Sequence, residues 1–163
     1  MEKDLGNYRK SYDKGSLLEQ SINKDPFDLF QLWFNEVDTH FQETETNAMT
    51  LSTLGSDGFP KSRVVLLKKF NSAGFVFYTN YESDKAKALA NTPQCCLSFH
   101  WEAAERQVII KGVADKIDPS DSDAYFLSRP KGSQLGAWAS KQSTVIENRA
   151  VLDTQLESLE IKY

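Results

Sequence analysis

Arg63 and Lys68 bracket four apolar residues, Val64, Val65, Leu66 and Leu67, and each basic end can hold a phosphate or another anion. Their separation is odd, so in a regular strand the two side chains point to opposite faces. They therefore serve two ligands, or one reaches across a subunit interface, unless a bulge intervenes. A second cluster, Ser83-Asp84-Lys85, opens a predicted helix whose first N–H groups and dipole favour an anion. Asp84 works against that reading, because its carboxylate competes with a phosphate. Tyr78 and Thr79, just upstream, offer a ring face and a hydroxyl. Tyr125, Arg129 and Ser133 recur every four residues and would converge three donors on one oxyanion if their helix were unbroken. Pro130 argues against an unbroken helix. Gln107 inside a β run, and Gln142-Ser143, add further hydrogen-bonding groups.

The elements that must position these residues are legible from periodicity. The first two dozen residues are polar and read as an arm, with Arg9, Lys10 and Tyr12 as its notable chemistry. Asp25-Pro26 is a strong helix start, and Phe30, Trp33, Phe34, Val37 and Phe41 follow as one apolar stripe. From Ala48 the period becomes two. Strands are predicted over 48–54, 62–70, 75–79, 95–101 and 107–116, with turns at Gly55-Ser56-Asp57-Gly58 and Asn71-Ser72-Ala73-Gly74. Helices are predicted from Ser83 to before Pro93, from Asp118-Pro119 through Phe126, and from Asn148 onward. Strands joined by tight turns are antiparallel, so the pattern predicts a mainly β, α+β domain built on a closed or nearly closed small barrel.

The 163 residues suit one domain, and a net charge of -4 excludes a broad electrostatic footprint for nucleic acid. No apolar run approaches the roughly 20 residues that span a bilayer, and the polar N-terminus has no signal-peptide core. Cys95 and Cys96 are adjacent, a spacing that fits neither a disulfide framework nor a metal site. They read as reduced strand residues, and cytoplasm is the expected compartment. His40 and His100 have no nucleophile or carboxylate at a telling spacing and read as surface or packing residues. No Gly-rich phosphate loop, zinc spacing or nucleophile elbow is present, and no metal is expected.

Taken together, several segments point further. Arg63-Val64-Val65-Leu66-Leu67-Lys68, Phe77-Tyr78-Thr79-Asn80, Glu105-Arg106-Gln107-Val108, Ser128-Arg129-Pro130, Ser133-Gln134-Leu135-Gly136-Ala137-Trp138 and Lys141-Gln142-Ser143 resemble, in order and spacing, the pyridoxamine 5'-phosphate oxidase family. The likeness runs from about Arg9 to the last residue, and the block from Ser128 to Ser143 is specific. The resemblance implies an FMN-binding split β-barrel with flanking helices over residues 25–163, behind an arm at 1–24. It implies a homodimer with FMN at the subunit interface, and oxidation of pyridoxamine or pyridoxine 5'-phosphate by oxygen to pyridoxal 5'-phosphate.

Carried over by motif, FMN is expected at Arg63, Val64, Val65, Leu66, Leu67, Lys68, Tyr78, Thr79, Lys85, Gln107, Gln142 and Ser143. The substrate phosphate is expected at Lys68, Tyr125, Arg129 and Ser133, with the arm residues Arg9, Lys10, Ser11 and Tyr12 closing over the substrate. Arg63 and Lys68 then divide between the FMN side and the substrate side. Asp84 stands where the family usually has Arg, which is expected to weaken phosphate binding. The chain ends at Tyr163, ahead of the C-terminal strands the resemblance implies. The family's Trp and Arg for FMN, and its Arg-Leu-His stretch for substrate, are expected beyond that point, which leaves catalytic residues unassigned here. A fragment, a shortened chain or a natural form of reduced function is expected. The competing expectations are a non-catalytic FMN- or pyridoxal-phosphate-binding protein, and another split-barrel flavin oxidoreductase such as a flavin reductase.

Overall fold

In a computed structural model that describes residues 3–41 and 45–163, the arm is irregular apart from a short 3-10 helix at Glu19–Ser21. Helix α1 (Pro26–His40) starts where the sequence places it. The Asp25 carboxylate accepts the Phe27 N–H at 2.7 Å, and Pro26 occupies the first turn, where its missing N–H costs nothing. The apolar stripe of α1 lies on a five-stranded antiparallel sheet made of β1 (Ala48–Leu54), β2 (Pro60–Asn71), β3 (Gly74–Phe77), β4 (Gln94–Trp101) and β5 (Arg106–Val113). The spatial order is β3-β2-β1-β4-β5, curled into a half-barrel with β3 and β5 as its edges. That is less closure than the strand count alone suggests.

Both predicted hairpin turns form. Gly58 has φ +81°, a conformation in which a side chain would be strained, and the Gly55 N–H closes the turn on the Phe59 carbonyl at 2.9 Å. The second turn is fastened by Asn71, whose side chain accepts the Ala73 N–H. The inner face of the sheet follows the period of two: Met49 and Leu51 on β1, Leu67 on β2, and Leu97, Phe99 and Trp101 on β4 are all buried. Phe30 fills the gap between α1 and this face, with its ring 5.0 Å from both Phe70 and Phe75 and 5.1 Å from Phe99. Each such aromatic pair adds about 0.5–1.5 kcal/mol beyond the area it buries.

Several boundaries and one pairing register differ from the sequence reading. Strand β3 stops at Phe77, so Tyr78 and Thr79 lie in the loop after it. Strand β5 ends at Val113 rather than Lys116. The pairing of β2 with β3 shifts register between Leu67 and Lys69, a bulge at Lys68. Helix α2 (Asp84–Asn91) crosses from β3 to β4, and α5 (Ala150–Lys162) ends the chain. Pro130 divides the remaining helical stretch into α3 (Pro119–Ser128) and α4 (Lys131–Ala139), with Arg129 extended at φ -73°, ψ 150°. This is the restriction that proline places on its predecessor.

Candidate functional site

Arg63 sits on the inner face of β2, opposite Leu51 of β1, at the end where the apolar layer gives way to polar groups. Its Nη1 donates to the Thr53 hydroxyl at 2.8 Å and to the Leu51 carbonyl at 3.2 Å. Thr53 is buried on that face, and its hydroxyl orients the guanidinium. Lys85, in the first turn of α2, donates from Nζ to the Gln142 side-chain carbonyl at 2.9 Å and to the Ser83 hydroxyl at 3.3 Å. Ser83 is fully buried; its hydroxyl does not cap the helix but donates to the Asn80 carbonyl at 2.7 Å, with Thr79 Oγ1 at 3.4 Å. Burial holds the Lys85 amine below its usual pKa, and the Arg63 guanidinium lowers it further, against the opposing charge of Asp84.

Among the described residues neither Arg63 nor Lys85 forms an ion pair. Two neighbouring cations thus rest on neutral oxygens, an arrangement that an anion completes. Ser143, beside Gln142, has φ +65°, a left-handed conformation that bends the loop at this point.

The second group forms around Tyr78. Its ring stacks on Tyr125 of α3, with centroids 3.7 Å apart and planes within 5°. The contact ties the loop after β3 to the stretch that carries Arg129 and Ser133. Burial raises the Tyr78 phenol above its ordinary pKa, helped by the negative charge of Asp121 and by Tyr125. The helical convergence of Tyr125, Arg129 and Ser133 does not form. Tyr125 is in α3, Arg129 is the extended residue after it, and Ser133 is exposed in the first turn of α4. No hydrogen bond joins the three; Gln134 braces the break by donating to the Arg129 carbonyl at 2.8 Å. Lys68 is exposed at the bulge, and among the described residues no hydrogen bond or ion pair holds its side chain.

The third group lies apart. Gln107 is exposed on the outer face of edge strand β5, and its amide reaches the Ser98 hydroxyl at 3.4 Å. Three strand spacings, about 14 Å, and the thickness of the sheet separate it from Arg63. Val64 and Leu66 share the outer face, whereas Val65 and Leu67 pack into the core. The arm docks at Gln107's end of the sheet. Lys10 is 3.6 Å from Glu105, and Tyr12 lines a cleft of about 440 Å³ with Trp33, Glu105, Arg106 and Gln107.

Sequence reasoning did not single out Thr53, Ser83's hydroxyl or Glu105. Thr53 carried a signal, since a polar residue at an inward position of β1 must find a partner. Cys95 and Cys96 are free thiols, and His40 and His100 are exposed. Among the described residues no helix is long and apolar enough to cross a membrane, and no group of three or more His, Cys, Asp or Glu could hold a metal.

The curled antiparallel sheet, with a cationic cluster where its inner face ends, defines a split-barrel protein. The family model described as Pyridoxamine 5'-phosphate oxidase matches residues 36–163, and the chain belongs to that family. It is 58% identical to the pyridoxine/pyridoxamine 5'-phosphate oxidase of Flavobacterium johnsoniae, over 98% of this chain and 75% of that one. The enzyme of the same name from Pseudomonas paraeruginosa is 45% identical over 100% of this chain and 76% of that one. Among solved structures, PhzG from Burkholderia lata, in complex with tetrahydrophenazine-1-carboxylic acid, superposes with a TM-score of 0.81 at 25% identity, covering 90% of this chain and 73% of that one. A pyridoxamine 5'-phosphate oxidase-related, FMN binding protein from Nostoc punctiforme shares the fold, with a TM-score of 0.62 at 13% identity, over 81% of this chain and 73% of that one.

Proposed function

We propose that the chain binds FMN and, as a homodimer, oxidises pyridoxine or pyridoxamine 5'-phosphate to pyridoxal 5'-phosphate with oxygen as acceptor. The observation that carries this reading is the cation couple of Arg63 and Lys85, without an ion pair among the described residues and set among Thr53, Ser83 and Gln142. It suits the phosphate of a flavin mononucleotide: the couple supplies charge, and the neutral oxygens around it hold both side chains in place. Thr79, Ser143 and the backbone of residues 63–68 supply polar groups around the same cofactor. Asp84, exposed in the first turn of α2, lowers the affinity without abolishing it.

Bound FMN supplies the two-electron acceptor that a side chain cannot provide. The protein's part is to bind and orient. Tyr125, Arg129, Ser133 and Lys68 take the substrate phosphate, and the Tyr78–Tyr125 stack keeps that anchor in register with the cofactor loop. Gln107 joins from a second copy. Lying on the opposite face of the sheet from Arg63 and about three strand spacings away, it meets the same cofactor only across a two-fold interface. The outer face suits that interface, for Val64, Ile109 and Val113 are 67%, 60% and 71% exposed.

The test is to purify the chain, record its visible spectrum, and add pyridoxine 5'-phosphate in air. Flavin absorbance with equimolar peroxide and pyridoxal 5'-phosphate is the expected result. Bound flavin with no turnover favours a binding protein instead. A colourless protein that takes up no added FMN overturns the reading. The PhzG likeness supplies a second arm, because the ligand named there carries a carboxylate and no phosphate. Equal turnover of unphosphorylated pyridoxine would remove the phosphate anchor from the proposal.

A further inference from the structure

Glu105 has features that the cofactor and substrate contacts leave unused. It ends the turn between β4 and β5 in a left-handed conformation, φ +55°, which a non-glycine residue adopts at some cost. Although it sits in a surface turn, its side chain is only 5% exposed, because the arm lies over it. One carboxylate oxygen accepts the backbone N–H groups of Asp13 at 2.8 Å and Lys14 at 3.0 Å; the other faces the Lys10 ammonium at 3.6 Å. Lys14 adds a bond from its own ammonium to the Ala103 carbonyl, at 2.6 Å. Two successive N–H groups and two lysines thus converge on a single turn from a segment with almost no regular structure of its own. Arg106, the neighbouring cation, is occupied by Glu36 at 2.6 Å and by the face of Trp33, so Glu105 is free to serve the arm.

We propose that Glu105 is the positioning residue of the N-terminal arm, tying residues 10–14 to the turn so that Arg9 to Tyr12 stand beside Gln107 to receive substrate. The role rests on the functional reading above for its substrate, but the tether itself does not. Charge-assisted bonds from backbone N–H groups are stronger than neutral ones and hold the main chain itself rather than the end of a flexible side chain. An arm held in this way loses less conformational freedom when substrate binds, so releasing it weakens binding and leaves the chemical step unchanged.

The test compares the intact chain with Glu105→Gly and Glu105→Gln. Glycine relieves the left-handed strain while deleting the carboxylate, so the substitution adds no backbone strain of its own, and an unchanged circular dichroism spectrum excludes misfolding. Glutamine keeps an oxygen for the two N–H groups and loses the charge facing Lys10. Exchange of the Asp13 and Lys14 amides, read by NMR, should speed up at least about tenfold in Glu105→Gly and less in Glu105→Gln. KM for pyridoxine 5'-phosphate should rise by a similar factor, with kcat and the flavin spectrum unchanged. Unchanged exchange at those amides overturns the tether. Faster exchange with unchanged KM overturns its role in substrate binding, as does a fall in kcat accompanied by loss of flavin. If the parent chain oxidises no B6 phosphate, the functional reading fails, and the exchange comparison still decides the tether.

Discussion

The two faces of the sheet are built from the same strands and have opposite fates. On the inner face Met49, Leu51, Leu67, Leu97, Phe99 and Trp101 are buried under α1, and every residue of that layer finds its neighbours within the chain. On the outer face Ser52 and Ser62 share a hydrogen bond at 2.8 Å, and Val64, Ile109 and Val113 stand exposed around them. The inner face is self-sufficient. The outer face mixes small hydroxyls with bare β-branched residues, a composition suited to close contact with another protein surface. The proposed cofactor residues divide between the two: Arg63 where the inner layer ends, Gln107 and Val64 on the outer side. The core makes the fold, and the proposed site draws on the face that the core leaves open.

The contrast can be broken hardest at its inner side. Phe30→Ala should destabilise the fold by about 3–5 kcal/mol, because the cavity would open among the five aromatic rings that surround it. Thermal unfolding followed by circular dichroism would measure this, and a change below about 1 kcal/mol would mean that α1 is not the lid of the core. Ile109→Glu acts on the outer side. It should leave the helix and strand content unchanged but dissociate the proposed dimer, since two-fold symmetry sets like charges against one another at a cost of several kcal/mol. Sedimentation velocity distinguishes the outcomes; an unaltered dimer would place the interface elsewhere.

Arg63→Ala tests the junction of the two faces at smaller amplitude. Losing a charged hydrogen-bond donor costs about 1.5–3 kcal/mol, so FMN affinity should fall roughly 10- to 100-fold while the melting temperature of the apoprotein changes little. Titration of the apoprotein with FMN, followed by flavin fluorescence, reads the first quantity, and unchanged affinity would show that Lys85 carries the phosphate alone.

How much of this was legible beforehand differs in the same way. The inner side was readable because its signals are local and periodic: Asp25-Pro26 for the start of α1, the stripe from Phe30 to Phe41, and alternation from Ala48 to Leu54. Pro130 was readable as a break, and the break is where Arg129 turns extended. The end of β3 was not, because Tyr78 leaves the strand to stack on Tyr125, a contact between residues far apart in sequence. Nor was the bulge at Lys68, since register slips depend on the partner strand rather than on the residue that bulges. The spacing of Arg63 and Lys68 alone could not fix their relative facing, because the bulge falls at Lys68 itself. The buried hydroxyl of Ser83 was not legible either, because an N-cap serine in sequence gives no sign that its side chain will turn to Asn80 instead.

The arm offers the finest test of the contrast, because it folds back onto the edge where Gln107 stands. The N–H bond from Lys14 holds the Glu105 carboxyl below the ordinary glutamate range, reinforced by the Asp13 N–H and by the charges of Lys10 and Lys14, with burial opposing them. A carboxylate whose pKa is lowered by its partners lends docking strength that is fully present above the ordinary value, about 4.3, and is lost as pH falls through the lowered one. The charged groups at the turn are Lys10, Asp13 and Lys14 from the arm, and Glu102, Glu105 and Arg106 from the hairpin, with Arg106 already engaged by Glu36. Protection of the Asp13 and Lys14 amides against exchange should therefore hold from neutral pH down to the ordinary glutamate range and fall only below it. Glu105→Gln should abolish that pH-dependent fall. A transition at the ordinary glutamate value would mean that the arm rests on the turn without being held by it.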